Sequence, residues 1–358
     1  MLTAAKQGIE RAGLVSMASV VVILVGLSHL LAVLSNLLIP LVVAIFIWFL
    51  LNALIHVVER IKIRGIGLPR FLSATLSLVL VFGLLSLVIN VVTTNLGQVA
   101  KEAPFYQEKL VTMIEKAYAY FDVEEPPTLD RLIGQISFRD LIRGLAVSLT
   151  GIIGSAGLIL VYVIFLFLEQ GSFKAKIEAL AGNPKRQKDW ENIMRRMGAD
   201  IRRYVGIKTL ASLLTGVMSY LVMRVIGIDF PFFWAFLIFL LNFIPTIGSI
   251  IATAFPTIVS LVQFESFQMF LMTGLCLTSI QVTIGNFVEP RLMGDTLNLS
   301  PLVILFSLAY WSFSWGIFGA FLCVPLTVVV MIIFSNFGIT RPIAILASRA
   351  GAVQTLEE

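Results

Sequence analysis

Long apolar runs separated by short polar breaks form the dominant pattern along this chain. The first three runs cover residues 14–34, 37–57 and 71–92, and a fourth covers 145–168. Each reaches the roughly 20 residues that a helix needs to cross a hydrocarbon layer of about 30 Å. Strict alternation of apolar and polar residues, which is typical of transmembrane strands, is absent. The pattern predicts an all-α polytopic integral membrane protein.

Two charged segments interrupt the apolar runs and set the predicted orientation. In residues 95–144 acidic side chains outnumber basic ones, whereas in residues 169–204 Lys and Arg predominate. Cytoplasmic loops of membrane proteins are enriched in Lys and Arg, so both chain termini are predicted to be cytoplasmic. Apolar residues recur at helical spacing over 106–117 and 190–204, which predicts one surface helix in each segment. The second of these is expected to contact membrane lipid.

Two further apolar runs contain helix-breaking residues. Residues 230–262 and 302–334 are too long for one ordinary span, and the breaks leave pieces of roughly 12 to 15 residues, too short to cross. We predict re-entrant hairpins whose irregular backbone lines a cavity, although two full spans at each run would give the same end locations. The residues assigned to the two breaks are Asn242, Pro245, Thr246 and Gly248 in the first, and Ser300, Pro301, Gly316, Gly319 and Pro325 in the second.

The resulting architecture has about six full spans plus two broken-helix elements, a set often counted as eight transmembrane segments. Each broken run follows a full span, and the two units have opposite orientation, as in the inverted repeats of secondary transporters. The regions predicted are an N-terminal three-span region (1–94), an extracytoplasmic polar helical insert (95–144), a fourth span (145–168), a cytoplasmic basic amphipathic segment (169–204), a transport core (205–335) and a cytoplasmic tail (336–358).

The sixth span, from residue 267 to about 287, carries polar residues on about one face. Gln281, Gly285 and Glu289 are spaced by four, and Thr283 and Asn286 follow on an adjoining stripe. Residues at this spacing are neighbours on a helix surface. An ionisable residue within a membrane helix is costly to bury and therefore indicates a functional site.

The end of this span combines an acid, a helix breaker and a base. Glu289 precedes Pro290, which disfavours helix at the residue before it, so the carboxylate could lie beside freed carbonyl groups as a cation or proton site. The alternative is that Glu289 pairs with Arg291 and caps the helix at the inner headgroups. Both interpretations stay open.

Other kinds of chemistry find little support in this composition. Of the 358 residues 58% are hydrophobic and 13% charged, and the net charge of +5 is explained by basic loops rather than by nucleic-acid binding. Cys276, Cys323, His29 and His56 stand apart from one another, so no metal site is predicted. No nucleophile and base share a face, so no enzyme and no cofactor are expected beyond a coupling ion, H⁺ or Na⁺.

Several motifs taken together resemble the AI-2E (autoinducer-2 exporter) family over nearly the whole chain. They are IPTIG at 244–248, GNFVEPRLMG at 285–294, LSPLV at 299–303, GIFG at 316–319 and VPL at 324–326. The resemblance implies a bacterial inner-membrane transporter that forms a homo-oligomer, with a pentamer as the candidate. Family members are associated with autoinducer-2 export or with Na⁺(Li⁺)/H⁺ antiport.

The function predicted is secondary transport of a small polar solute or an ion, by alternating access around the broken helices. An uncharged solute would be held by neutral side chains (Asn242, Thr246, Gln281, Thr283 and Asn286), whereas a cation would need Glu289 and carbonyl groups. The alternatives are a Na⁺(Li⁺)/H⁺ antiporter, a passive oligomeric channel and a non-transporting membrane scaffold.

Overall fold

A computed structural model describes residues 22, 25–59, 62–63, 66–67, 69–120, 138–294, 298–336, 340–349 and 351. The predicted first span lies partly outside this set, and its residues 25–33 are helical. Residues 121–137 of the predicted polar insert and the chain ends lie outside the described residues. Apart from one antiparallel pair of two-residue strands, β1 (Lys62–Ile63) and β2 (Ile66–Gly67), the regular structure described is helical.

Three helices form the N-terminal part of the described structure: α1 (Ser35–Glu59), α2 (Arg70–Tyr120) and α3 (Phe138–Glu169). Helix α1 coincides with the predicted second span and α3 contains the fourth. A small apolar core joins α1 to α3 and is made of Ala44, Leu51, Ile159 and Val163. These positions recur at helical spacing, so each helix buries one stripe of its surface against the other.

Helix α2 continues through the predicted boundary at residues 94 and 95 without interruption. At 1.5 Å per residue its 51 residues extend about 76 Å, more than twice the thickness of the hydrocarbon layer. Pro104 lies inside this helix and removes one backbone hydrogen bond without ending it. The predicted surface helix is therefore the continuation of the third span, not a separate element.

The basic segment shows the same continuity. A short helix α4 (Phe173–Ala181) ends at Gly182, and α5 then runs unbroken over Pro184–Ile226. Helix α5 thus joins the predicted amphipathic helix (190–204) to the apolar run over 205–226, which is the predicted fifth span. Ile201 and Tyr204, expected to face lipid, are instead buried in the main apolar core.

The first broken run forms a helical hairpin. Helix α6 (Pro231–Leu241) has 11 residues and α7 (Ile247–Phe264) has 18. The rings of Trp234 and Phe255 stack at 6.0 Å across the two arms, so the arms lie side by side. Helix α6 reaches only about 16 Å, roughly half of a hydrocarbon layer, so it is too short to be a full span.

The second broken run also folds back on itself. The helical stretch α10 (Pro301–Asn336) contains a non-helical residue, Gly316, with φ 62° and ψ −141°. The hydroxyl of Ser307 donates to the carbonyl oxygen of Cys323 at 3.0 Å. In a continuous helix these residues would lie about 24 Å apart, so the chain reverses at Gly316 and α10 is two antiparallel arms.

The sixth predicted span is α8 (Phe267–Thr283), followed by a π-helical turn (Ile284–Val288) and by α9 (Glu289–Met293). Helices α5 and α8 run antiparallel. Near the start of α8, the side chain of Gln263, at the end of α7, donates to the carbonyl of Gly227, just after α5, at 2.8 Å. Beyond the other end of α8, Glu289 contacts Lys208 of α5. The two units of helix plus hairpin are α5 with the first hairpin and α8 with the second, and their first helices therefore run in opposite directions.

The two hairpins meet in the interior. The ring of Phe243, in the turn between α6 and α7, stacks on the ring of Phe321 in the second arm of α10, with centroids 6.0 Å apart. The indole of Trp315, beside the reversal, donates to the carbonyl of Leu31 at 2.9 Å. Helix α11 (Arg341–Ala347) lies beside the start of α10, because the amide of Ser300 donates to the carbonyl of Ala347.

Five helical segments in the described part are long and apolar enough to cross a membrane, by length and composition. They are Ser35–Asn52, Trp190–Ile226, Ile247–Phe264, Phe267–Met293 and Pro301–Asn336. The predicted class, a helical membrane protein, is confirmed. The predicted span count and the predicted regions stay predictions.

Candidate functional site

A polar cleft of about 400 Å³ lies between α5, the first hairpin and the end of α8. Its lining joins residues that are far apart in sequence: Lys208, Asn242, Ile244, Pro245, Thr246, Ser249, Ile250, Thr253, Thr278, Gln281, Val282, Gly285, Asn286 and Glu289. Most of the site residues predicted from the first break and from the sixth span therefore share one cavity. Concave sites with a few convergent polar groups are the usual form of small-ligand sites.

A chain of neutral hydrogen bonds crosses one wall of the cleft. The amide nitrogen of Gln281 donates to the amide oxygen of Asn242 at 3.0 Å, and the nitrogen of Asn242 donates to the hydroxyl of Ser212 at 3.0 Å. Asn242 is buried, and its two hydrogen bonds hold the turn of the hairpin against α5 and α8. The side-chain amide of Asn242 thus links the hairpin turn to both α5 and α8.

Among the described residues that line the cleft, the one acid and the one base are paired with each other. The ammonium of Lys208 lies 2.7 and 3.0 Å from the two carboxylate oxygens of Glu289. Their side chains are 9% and 15% exposed. Along α5, Lys208 lies about 27 Å from Ile226, the last residue of the helix. This distance is close to the thickness of one hydrocarbon layer.

Glu289 pairs with Lys208 and not with Arg291, which was its partner in the alternative interpretation of the sequence. Arg291 is exposed, and it makes no ion pair with Glu289 in the described structure. Helix geometry accounts for the difference, because residues two apart on a helix point to different sides. Lys208 approaches Glu289 from a neighbouring helix instead.

The expected break at Pro290 is absent, and a π-helical turn takes its place. Glu289 keeps helical angles, and its amide donates to the carbonyl of Ile284, five residues back. An α-helix would direct that amide to Gly285, and Pro290 has no amide to donate. The carbonyl of Gly285 therefore accepts a hydrogen bond neither from the amide of Glu289, as in an α-helix, nor from residue 290, as in a π-helix. Single π-turns of this kind occur frequently at functional sites.

Backbone strain is concentrated where the hairpin turn meets the cleft. Thr246 has φ 59° and ψ −61°, and the amide of Ile247 donates to the carbonyl of Pro245 at 2.6 Å. These values describe the γ-turn with positive φ, which is rare and strained. A β-branched residue in this conformation is an outlier, and such strain clusters at binding sites and switch regions.

The remaining residues predicted for the pathway lie outside the cleft lining. Thr283, Pro290 and Arg291 are exposed. Gly248 is buried directly behind the turn, where a Cβ atom would overlap the carbonyl oxygen of Leu241. Gly248 is therefore a packing residue, required for the close approach of the two hairpin arms.

The residues predicted for the second break lie in or beside α10 and not in the cleft. Pro301 begins α10 and Ser300 precedes it, with its side-chain oxygen 3.4 Å from the amide of Val303. Gly316 forms the reversal. At Gly319 a Cβ atom would overlap the carbonyl oxygen of Trp311, and Pro325 is buried within the second arm.

Sequence reasoning missed the part of the site that α5 contributes. Lys208 lies in the region predicted as the transport core but is not among the predicted site residues, and its side chain is only 7% exposed. The signal for it is a buried polar stripe along an otherwise apolar helix, formed by Lys208, Ser212, Thr215 and Ser219. Their spacing of four, three and four places them on one face of α5.

Metal ligands do not converge anywhere in the described part of the chain, where no group of three His, Cys, Asp or Glu residues could hold a metal ion. Cys276 is partly exposed and Cys323 is buried, and both are free thiols.

A second polar contact joins the far end of α2 to the turns beside the hairpin. The hydroxyl of Tyr106 donates to the carboxylate of Asp229 at 2.7 Å, and Lys109 pairs with Glu265 at 3.2 Å. Tyr106 lies about 54 Å along α2 from Arg70, beyond the hydrocarbon layer. Burial, followed by the hydrogen bond to Asp229, raises the pKa of Tyr106 above its ordinary value, because both favour the protonated hydroxyl.

Comparison with known proteins defines the class. The AI-2E family transporter profile matches residues 17–338, which include all five candidate spans and the whole cleft. The chain belongs to the AI-2E transporter family. The resemblance seen in the sequence motifs is therefore confirmed.

Individual relatives cover most of the chain. The AI-2 transport protein TqsA of Escherichia coli K12 is 27% identical over 88% of this chain and 90% of its own length. A Borreliella burgdorferi protein named "Putative transport protein" is 30% identical over 83% of this chain and 80% of its own length. These similarities support a general transport function.

Proposed function

We propose that this chain is a secondary transporter of a small polar solute, and that the solute binds in the cleft between α5, the first hairpin and α8. The single observation that carries the proposal is the meeting of a short hairpin, a π-turn and polar side chains at one cavity. Non-helical backbone at membrane depth is tolerated where it lines a cavity. Substrate sites of secondary transporters lie beside such discontinuous helices.

The solute that fits best is uncharged and carries hydroxyl groups. The neutral polar side chains of the lining are amides and hydroxyls, from Asn242, Thr246, Ser249, Thr253, Thr278, Gln281 and Asn286. A relative is named an AI-2 transport protein, which supports an autoinducer-2-like solute. We propose export as the direction and alternating access, with one unit of helix plus hairpin moving against the other, as the mechanism.

The proposed location is the bacterial inner membrane, with both termini in the cytoplasm. The basic half of α5 supports this orientation, because cytoplasmic segments are enriched in Lys and Arg. We also propose a homo-oligomer, with a pentamer as the candidate, to be measured from the mass of the solubilised particle. Neither nucleic acid nor a cofactor takes part.

A second candidate is an ion-coupled antiporter that uses H⁺ with Na⁺ or Li⁺. The observation that favours it is the Glu289 carboxylate beside a carbonyl, that of Gly285, which lacks its helical donors. Oxygen ligands of this kind suit small hard cations. A channel would use the same cleft as a constriction.

A flux assay on purified protein in proteoliposomes separates these candidates. Uptake of a panel of uncharged polyols and monovalent cations would be measured with and without imposed H⁺ or Na⁺ gradients. The transporter proposal expects saturable flux of an uncharged solute that accumulates against its own gradient. Flux that only follows the solute gradient, with single-channel conductance, would favour the channel. The absence of any flux would favour the scaffold.

A further inference from the structure

The charge of the cleft depends on a single lysine. Of the lining residues that the structure describes, Glu289 is the only acid and Lys208 the only base. Their contact makes the lining neutral, whereas either residue alone would leave a unit charge in a poorly solvated site. Coulomb interactions in such a site are several times stronger than in water.

We propose that Lys208 determines the substrate class of the cleft, because it neutralises Glu289 and so favours an uncharged hydrogen-bonding solute over small cations and anions. This inference rests on the proposed function, since it names the class of solute that the same cleft accepts. Lys208 is thereby a specificity-determining residue, not only a link between two helices.

Geometry makes Lys208 a strong competitor for the carboxylate. Its nitrogen lies within hydrogen-bond distance of both oxygens of Glu289, at 2.7 and 3.0 Å. A cation from solution would have to displace both contacts. It would also lose translational freedom on binding, whereas the lysine is already tethered to α5. The carboxylate is therefore kept from binding ions while the pair is intact.

One atom of the cleft wall is suited to an uncharged solute. The side-chain oxygen of Gln281 is buried and has no hydrogen-bond partner in the described structure. The other end of this amide is fixed, because its nitrogen donates to Asn242. A buried acceptor without a partner is unusual and needs an explanation. A hydroxyl group of the solute would supply the missing donor.

Equilibrium ion binding to the purified full-length chain tests this inference without knowledge of the natural solute. Radioactive Na⁺ and radioactive acetate are the two probes. Lys208→Met leaves Glu289 unpaired and is expected to bind Na⁺ roughly tenfold or more above the wild type. Glu289→Gln leaves Lys208 unpaired and is expected to gain acetate binding of similar size. The wild type and the variant carrying both changes are expected to bind neither ion.

Two outcomes would overturn the inference. One is Na⁺ binding to the wild type as strong as that to Lys208→Met, and the other is a folded single variant that gains no ion. A swapped pair, Lys208→Glu with Glu289→Lys, restores neutrality and should bind neither probe. If Lys208→Met fails to fold by size-exclusion chromatography, acetate binding to Glu289→Gln decides.

The proposed function fails in a different experiment. Absence of solute flux in the proteoliposome panel would reject transport and leave the ion-binding results unchanged. Gain of Na⁺ and acetate by the two single variants would still establish that Lys208 controls the charge of the cleft.

Discussion

The ammonium of Lys208 contacts both carboxylate oxygens of Glu289, although the two residues are 81 positions apart in the chain. The contact joins α5 to the start of α9. Because both side chains are largely buried, each charge depends on the other for compensation. Such pairs contribute little net stability, but the removal of one partner is expensive.

The first prediction concerns this mutual dependence. Lys208→Met and Glu289→Gln are each expected to lower the free energy of unfolding by about 3 kcal/mol, since each leaves a buried charge or donor uncompensated. The variant with both changes is expected to lose much less than the sum. Unfolding of the four proteins in detergent, compared as a double-mutant cycle, measures the coupling. Additive losses would show that the pair is not coupled.

The second prediction concerns the first hairpin. Gly248→Ala is expected to destabilise the protein by about 2 kcal/mol or more, because the new methyl group would overlap the carbonyl of Leu241. Gly206→Ala is the matched control: Gly206 is exposed on helix α5, and a Cβ there meets nothing within 4 Å. The control should be neutral or stabilising, because Ala favours helix over Gly. Equal melting temperatures for the two variants would contradict the observed packing of the turn.

The third prediction concerns the contact between α2 and the turn before the hairpin. Tyr106→Phe removes the donor to Asp229 and is expected to cost about 1 kcal/mol. The folded-state pKa of Tyr106 lies above its ordinary value. The stability that the protonated hydroxyl contributes is therefore fully present at pH values below the ordinary pKa, and it is lost as the pH rises through the folded-state pKa. Thermal unfolding at neutral pH and at pH values above 10 measures it. If the stabilities of the wild type and of Tyr106→Phe differ by the same amount at every pH, Tyr106 is excluded as the titrating group.

The positions of the breaks could be predicted from the sequence because their causes are local. Pro245 and Gly248 disfavour continuous helix, and Gly316 adopts a positive φ that other residues avoid. The structure places a reversal at each position. Two prolines are exceptions. At Pro290 a π-turn absorbs the missing donor and the helix continues, and Pro325 lies inside the second arm of α10 without a reversal.

Partners and helix lengths could not be predicted in the same way. Polar composition predicted a separate insert after the third span, but nothing in residues 93–120 ends a helix, so α2 continues with its one proline accommodated. The nearest cation in sequence to Glu289 is Arg291, yet the chain topology brings Lys208 to the carboxylate. That contact depends on the antiparallel approach of two helices, and neither the sequence around Lys208 nor the sequence around Glu289 predicts it. Only the polar stripe of α5 pointed toward it.

The central claim, that the cleft carries the solute, is tested most directly by comparing solute flux for Gln281→Leu and Gln268→Leu in proteoliposomes. Both changes replace a glutamine with leucine on α8, but Gln281 lines the cleft and Gln268 is exposed near the other end of the helix. Our account predicts that Gln281→Leu lowers flux of the solute found in the panel at least about tenfold and that Gln268→Leu retains wild-type flux. Wild-type flux through Gln281→Leu, or equal losses in both variants, would contradict it.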